Sequence, residues 1–128
     1  MNIAILGAGV VGASVAYHLA RRGCTVTVYD RASDFGAGST AKATGGFRAQ
    51  FDTEINVRLS LLSREKLLRF GEETGVDPGY VRRGYLFVAH EEGELDALLA
   101  AQAVQHECGL TEASFVSGVD ITRLNPAW

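Results

Sequence analysis

The sequence predicts an α/β fold that opens with a strand, a glycine turn, a helix and a second strand. Three observations carry this. The apolar run "NIAIL" at 2–6 leads into the glycine-rich "GAGVVG" at 7–12. A stretch from Val10 to Arg22 then favours helix. A second run, "TVTVYD" at 25–30, alternates in the manner of a strand and ends on an acid.

Each element follows from its residues. Residues 2–6 are apolar and β-branched enough for a buried parallel strand. Gly7 ends it. Gly23 stands where a left-handed residue closes the helix. In the next run Val26 and Val28 share one face, while Thr25, Thr27 and Tyr29 share the other. Strand, glycine turn, helix, strand and acid make a βαβ unit of the nucleotide-binding kind.

The turn explains why those residue types stand there. Gly7 permits a tight exit from the strand. Gly9, with no side chain, lets backbone approach a pyrophosphate. Gly12 lets the helix pack close to the sheet. The amides near Val10 and Val11 point at phosphate oxygens, with the helix dipole behind them. Asp30 is placed to accept hydrogen bonds from ribose hydroxyls, and its charge disfavours a 2′-phosphate. A glycine motif alone is a weak signal. Here it follows a strand, opens a helix and is followed 18 residues after Gly12 by an acid ending a strand. A plain βαβ core without ligand is the bland alternative.

Composition narrows the class. The 128 residues suit one domain at most, and a 47% apolar share can fill a core. A net charge of −3 argues against a general nucleic-acid binder. Cys24 and Cys108 make neither a disulfide framework nor a metal set, and we expect a reducing, cytoplasmic setting. His18, His90 and His106 share no metal spacing. The uncharged run "IAILGAGVVGASVAYHLA" would pass a hydropathy window as an anchor. However, only Met1 and Asn2 precede it, without the usual cation, and three glycines weaken any helix there. No membrane span is expected.

The loop "DFGAGSTAKATGGFRAQF" at 34–51 holds four glycines with Ser39, Thr40 and Thr44. It reads as an extended loop laying amides and hydroxyls along a ligand, and Arg48 is the strong cation near its end. At this point the chain resembles the N-terminal part of FAD-dependent amine and amino-acid oxidoreductases. That family includes sarcosine oxidase and dehydrogenase, dimethylglycine dehydrogenase, glycine oxidase and D-amino-acid oxidases. The resemblance runs over essentially the whole chain, and is strongest at 3–30 and 38–51. It implies FAD, with its AMP half over Gly7, Gly9, Gly12 and Asp30. It also implies that Ser39, Thr40 and the turn Thr44-Gly45-Gly46 follow the pyrophosphate toward the flavin ring, with Arg48 near that ring.

Two departures from the family pattern matter. Members with covalent flavin carry a histidine in this loop, and Lys42 stands there instead, so non-covalent FAD is expected. Monomeric sarcosine oxidases place a second arginine, which binds the substrate carboxylate, where this chain has Phe51 preceded by Gln50. Small N-methyl amino acids are therefore in doubt as substrates. The substrate remains an amine or amino acid.

Beyond the loop, Asp52 or Thr53 can cap a helix running to about Thr74, stopped by Gly75 and Pro78. Ile55, Leu59, Leu62, Leu61 and Leu68 are expected to face its core side. "GYLFVA" at 84–89 reads as a buried strand, with Tyr85 either packed or turned to substrate. Residues 92–108 read as an amphipathic helix with Leu95, Leu98, Leu99 and Ala103 inside, closed by Gly109. "DITRLNPAW" reads as a short helical turn broken by Pro126. The resemblance makes 1–75 an FAD-binding segment and 76–128 the beginning of an α+β substrate domain. It implies a longer enzyme or a partner chain supplying the remaining strands and the catalytic groups, and an inactive 128-residue chain. Two other classes stay open. One is an NAD-dependent dehydrogenase fragment, against which the long glycine loop argues. The other is a truncated nucleotide-binding module without activity.

Overall fold

A computed structural model of the chain describes residues 1–124; the expected break at Pro126 lies outside them. The chain divides into two compact units, 1–46 and 47–128.

The first unit is a βαβ. Strand β1 (Asn2–Leu6) and strand β2 (Thr25–Tyr29) pair in parallel, with Ile3 opposite Val26 and Ile5 opposite Val28. Helix α1 (Val10–Ala20) joins them and packs against both. Ile3, Ile5, Val26 and Val28 are half-buried, while Ala4, Leu6, Thr27 and Tyr29 are exposed. Strand β1 is thus half-covered rather than buried as expected, because α1 covers one face of the pair and nothing in the unit covers the other. The uncharged run at 3–20 is a strand, a turn and an 11-residue helix. No helix among the described residues is long and apolar enough to cross a membrane.

The second unit is helical. Helix α2 (Glu54–Thr74) ends at Gly75, whose φ of 76° is left-handed and whose N–H donates to the Gly71 carbonyl. Helix α3 (Glu92–Glu107) and the short helix α4 (Gly118–Leu124) follow. The core is small. Val57, Leu110 and Ala113 are buried, with Ala49, Phe51, Leu61 and Cys108 packed around them. Glu112 accepts hydrogen bonds from Arg64 of α2 and, at 3.3 Å, from Arg82. The rings of Phe47 and Tyr80 meet edge to face at 5.9 Å.

Four expectations for this unit change. Residues 84–89 form no strand: among the described residues the sheet holds β1 and β2 alone, and 84–89 take part in no ladder. The inward face of α2 runs through Val57 and Leu61, since that is where Leu110 and Ala113 lie. Ile55, Leu59, Leu62 and Leu68 are each more than half exposed. On α3, Leu95 and Leu98 are half-buried as expected, but Leu99 and Ala103 are exposed and Gln105 is buried instead. Thr53 occupies the cap position of α2 without a side-chain cap bond; its hydroxyl accepts from the Asn56 amide at 2.8 Å.

Candidate functional site

The glycine turn is built around contacts that leave no room for side chains. Gly7 has a φ of 106°, which an L side chain strains to adopt, and its N–H donates to the Tyr29 carbonyl at 2.7 Å. A Cβ on Gly12 would stand 1.9 Å from the Gly7 carbonyl oxygen and 3.6 Å from the Ile5 side chain. Helix and strand therefore cross closer than any side chain at this position allows. A Cβ on Gly9 would meet only the Thr40 hydroxyl, at 3.1 Å. Ala8, between the two glycines, is buried.

The start of α1 faces this turn. The Val10 N–H donates to the Thr40 hydroxyl at 3.0 Å. The amides of Val11 and Gly12 are also in the first turn, which has no helical carbonyl to bond. No acidic side chain lies in that turn, and Gly9 at the cap has no side chain. The helix N-terminus thus offers donors and positive dipole to an anion.

Asp30 does something the sequence did not announce. Its carboxylate accepts the Ala8 N–H at 2.6 Å and the Ala32 N–H at 2.9 Å. The end of β2 is thereby tied to the glycine turn. These backbone bonds, Ala32 first and Ala8 second, hold the carboxyl below its ordinary pKa. Each oxygen keeps a second lone pair, so the carboxylate can still accept from a hydroxyl.

The loop after β2 is more compact than expected. Residues 31–39 turn repeatedly, and Thr40–Lys42 forms a short 3-10 helix. The Gly36 N–H donates to the Ala8 carbonyl at 3.0 Å, and the Ala41 N–H to the Gly36 carbonyl at 2.9 Å. That docking brings Thr40 to the helix start. Gly36 and Ala8 were missed as site residues. Their signal was the glycine before "AGST" and the small residue inside the fingerprint. Ala43 is extended, and after it comes a hydroxyl turn in which Thr44 accepts the Gly46 N–H at 3.4 Å. Gly45 is left-handed, with a φ of 72°.

The structure therefore brings Gly7, Gly9, Val10, Val11, Gly12, Asp30 and Thr40 together. Thr44, Gly45 and Gly46 form a turn of their own further along. Ser39 and Lys42 are exposed. Arg48 belongs to the second unit. Its guanidinium lies over the rings of Phe51, at 4.5 Å, and Phe87, at 5.5 Å. The second unit also holds a groove of about 420 Å³ between residues 85–91, α3 and residues 113–121. Tyr85 lines it, and none of the expected site residues does.

The donor set suits a dinucleotide: a crossing closed to side chains, helix amides, a hydroxyl beside them and a carboxylate at the end of the second strand. Residues 2–127 match the family described as FAD dependent oxidoreductase. The chain belongs to that family. Within it, the chain is 37% identical over 119 residues to "FAD-dependent oxidoreductase domain-containing protein 1" of Xenopus laevis, covering 84% of this chain and 24% of that protein. It is 35% identical over 104 residues to a glycine oxidase of Geobacillus kaustophilus (strain HTA426), covering 76% of this chain and 27% of the relative. Among solved structures it is similar to L-proline dehydrogenase from P. horikoshii, with a TM-score of 0.86 and 30% identity over 98% of this chain and 32% of that one. The chain thus spans about a quarter of the length of these curated family members.

Proposed function

We propose that this chain is the cofactor-binding front of an FAD-dependent oxidoreductase acting on the C–N bond of an amine or amino acid. The observation that carries this is the glycine turn, where a Cβ on Gly12 would stand 1.9 Å from the Gly7 carbonyl oxygen and the amides at the helix start lack helical acceptors. Family membership and relatives named for glycine and proline support it. FAD, when bound, supplies acceptance of a hydride from the carbon beside the nitrogen.

The chain's own residues bind and orient. Gly7, Gly9 and Gly12, with the amides of Val10 and Val11, hold the pyrophosphate of a Rossmann-like site. Asp30 keeps the turn closed and accepts from the ribose. Thr40 shares its hydroxyl between the Val10 amide and a phosphate oxygen. Ser39, Thr44, Gly45 and Gly46 lead on toward the ring, where Arg48 provides positive charge. Lys42 at the position of the covalent histidine supports non-covalent FAD. Residues 1–75 as FAD-binding segment, 76–128 as the start of a substrate domain, and further strands from the rest of the protein or a partner chain belong to the same reading. So does a cytoplasmic setting, which suits the half-buried free thiols of Cys24 and Cys108.

The test uses the native gene product. It should bind FAD that denaturation releases, and glycine or proline should bleach the flavin in the absence of oxygen. Failure to take up FAD at tens of micromolar would refute the reading. Retention of the flavin after denaturation would refute its non-covalent part.

A further inference from the structure

Among the described residues, Gln105 of α3 is the buried polar side chain, at 7% exposed. A buried amide is costly unless it is bonded. Its Nε2–H donates to the Phe51 carbonyl at 3.0 Å, 54 residues away in sequence. A carbonyl partner fixes which end of the amide faces it, since only the nitrogen donates. The Gln105 backbone carbonyl meanwhile accepts the Leu110 N–H at 2.8 Å. Leu110 is in the core with Val57 and Ala113, and Phe51 packs against the same core. Gln105 is thus held by the core and reaches out to a segment that has no regular structure of its own.

That segment carries Arg48. No helix or sheet ladder sets its side chains. Among the described residues no carboxylate lies within ion-pair distance of Arg48. What holds the guanidinium is a pair of aromatic faces, Phe51 at 4.5 Å and Phe87 at 5.5 Å. The nearer ring belongs to the residue whose carbonyl Gln105 grips. Gln102, one turn earlier on α3, bonds the Ala113 carbonyl at 2.9 Å instead, so its bond does not touch this segment.

We propose that Gln105 is the positioning residue for Arg48. By clamping the Phe51 carbonyl it fixes the ring under the guanidinium, and so the direction in which the positive charge is presented. The geometry stands by itself; its consequence for FAD rests on the role given to Arg48 above.

Arginine-selective nitrogen labelling of the native gene product gives a readout independent of the cofactor. The Arg48 Nε–H resonance, assigned with Arg48→Lys, should be displaced by the two rings from the solvated arginines. Gln105→Leu should return it to them, and the control Gln102→Leu should leave it displaced. An Arg48 resonance unmoved in Gln105→Leu overturns the proposal. If Gln105→Leu does not fold, the unbranched Gln105→Met, which also lacks the donor, takes its place with the same expected collapse, and an unmoved resonance there overturns the proposal equally. A fluorescence titration with FAD then separates the two claims. Gln105→Leu should weaken FAD binding about two- to fivefold, the scale of one exposed cation–π contact, and should have no effect in an Arg48→Ala background. If Gln105→Leu moves the resonance but Arg48→Ala leaves FAD affinity unchanged, the positioning holds and the cofactor role of Arg48 fails. If Arg48→Ala weakens FAD binding and Gln105→Leu does so equally in both backgrounds, Gln105 does not act through Arg48 and the proposal falls.

Discussion

Gly9 and Gly12 sit three residues apart in one motif, yet the structure gives them different obligations. A methyl on Gly12 meets backbone at 1.9 Å, and backbone cannot step aside without separating α1 from β1. Gly12→Ala should therefore prevent the first unit from folding, seen as loss of its amide protection in hydrogen exchange. A methyl on Gly9 meets a hydroxyl at 3.1 Å, which a rotation of Thr40 relieves. Gly9→Ala should fold with a melting temperature within a few degrees of the parent. It should nevertheless bind FAD at least about tenfold more weakly, because the methyl stands where backbone must approach a phosphate. Equal FAD affinity would show that the cofactor does not use this turn. Asp30 adds a pH dependence. Its folded pKa is depressed by the Ala32 and Ala8 amides, so its contribution is fully present above the unfolded carboxylate value and fades as pH falls through the lower folded one. The first unit should thus hold its stability from neutral pH to about pH 4 and lose this part only below that. Asp30→Asn, with one acceptor oxygen for two amides, should melt earlier at pH 7 and show a weaker dependence in that acidic range.

At the scale of elements, α2 shows where an apolar pattern decides and where it does not. Val57 is fully buried against Leu110 and Ala113, whereas Leu59, two residues on, is 53% exposed. Val57→Ala should cost about 1–3 kcal/mol by denaturant unfolding, the range for emptying a small core site. Leu59→Gln should stay within about 0.5 kcal/mol, as surface changes usually do. A reversed order would mean that the outer face of α2 is the covered one. The existence and ends of this helix were legible in the sequence, because Thr53, Glu54 and Gly75 are local signals. Its inward face was not, because that depends on which segments return to pack on it. Residues 84–89 failed for a related reason. Their composition suits a strand, but a strand needs a neighbour to share its amides, and pairing is not a local property. The βαβ start was legible to within two residues, since turn, helix and strand faces follow from glycines and alternation within one short stretch. The bond from Asp30 to Ala8 was hidden because an acid at a strand end looks the same whether it serves backbone, ligand or both.

The whole molecule carries more apolar surface than its buried core balances. Its sheet has two strands, and parallel pairs are ordinarily covered on both faces. Here α1 covers one face, while Leu6 and Tyr29 on the other are 86% and 56% exposed. In the second unit Ile55, Leu62, Leu68 and Phe115 are each more than half exposed. Against this, the fully buried large side chain is Val57 among the described residues. A two-stranded sheet is marginal by itself in water, and contiguous apolar surface recruits whatever apolar surface is available. The 128-residue chain, prepared alone at tens of micromolar, should therefore self-associate and bind a hydrophobic dye. Its melting should be broad, because two units with small cores do not support one sharp transition. Net charge of −3 is too small to keep such surfaces apart. Sedimentation velocity over a hundredfold range of concentration decides the matter. Growth of the weight-average mass with concentration is expected. A single species of 13.7 kDa with a sharp, reversible melt would show that these surfaces are covered within the chain itself. The small-core argument would then fail, and with it the reason to seek the missing cover in the rest of a longer enzyme.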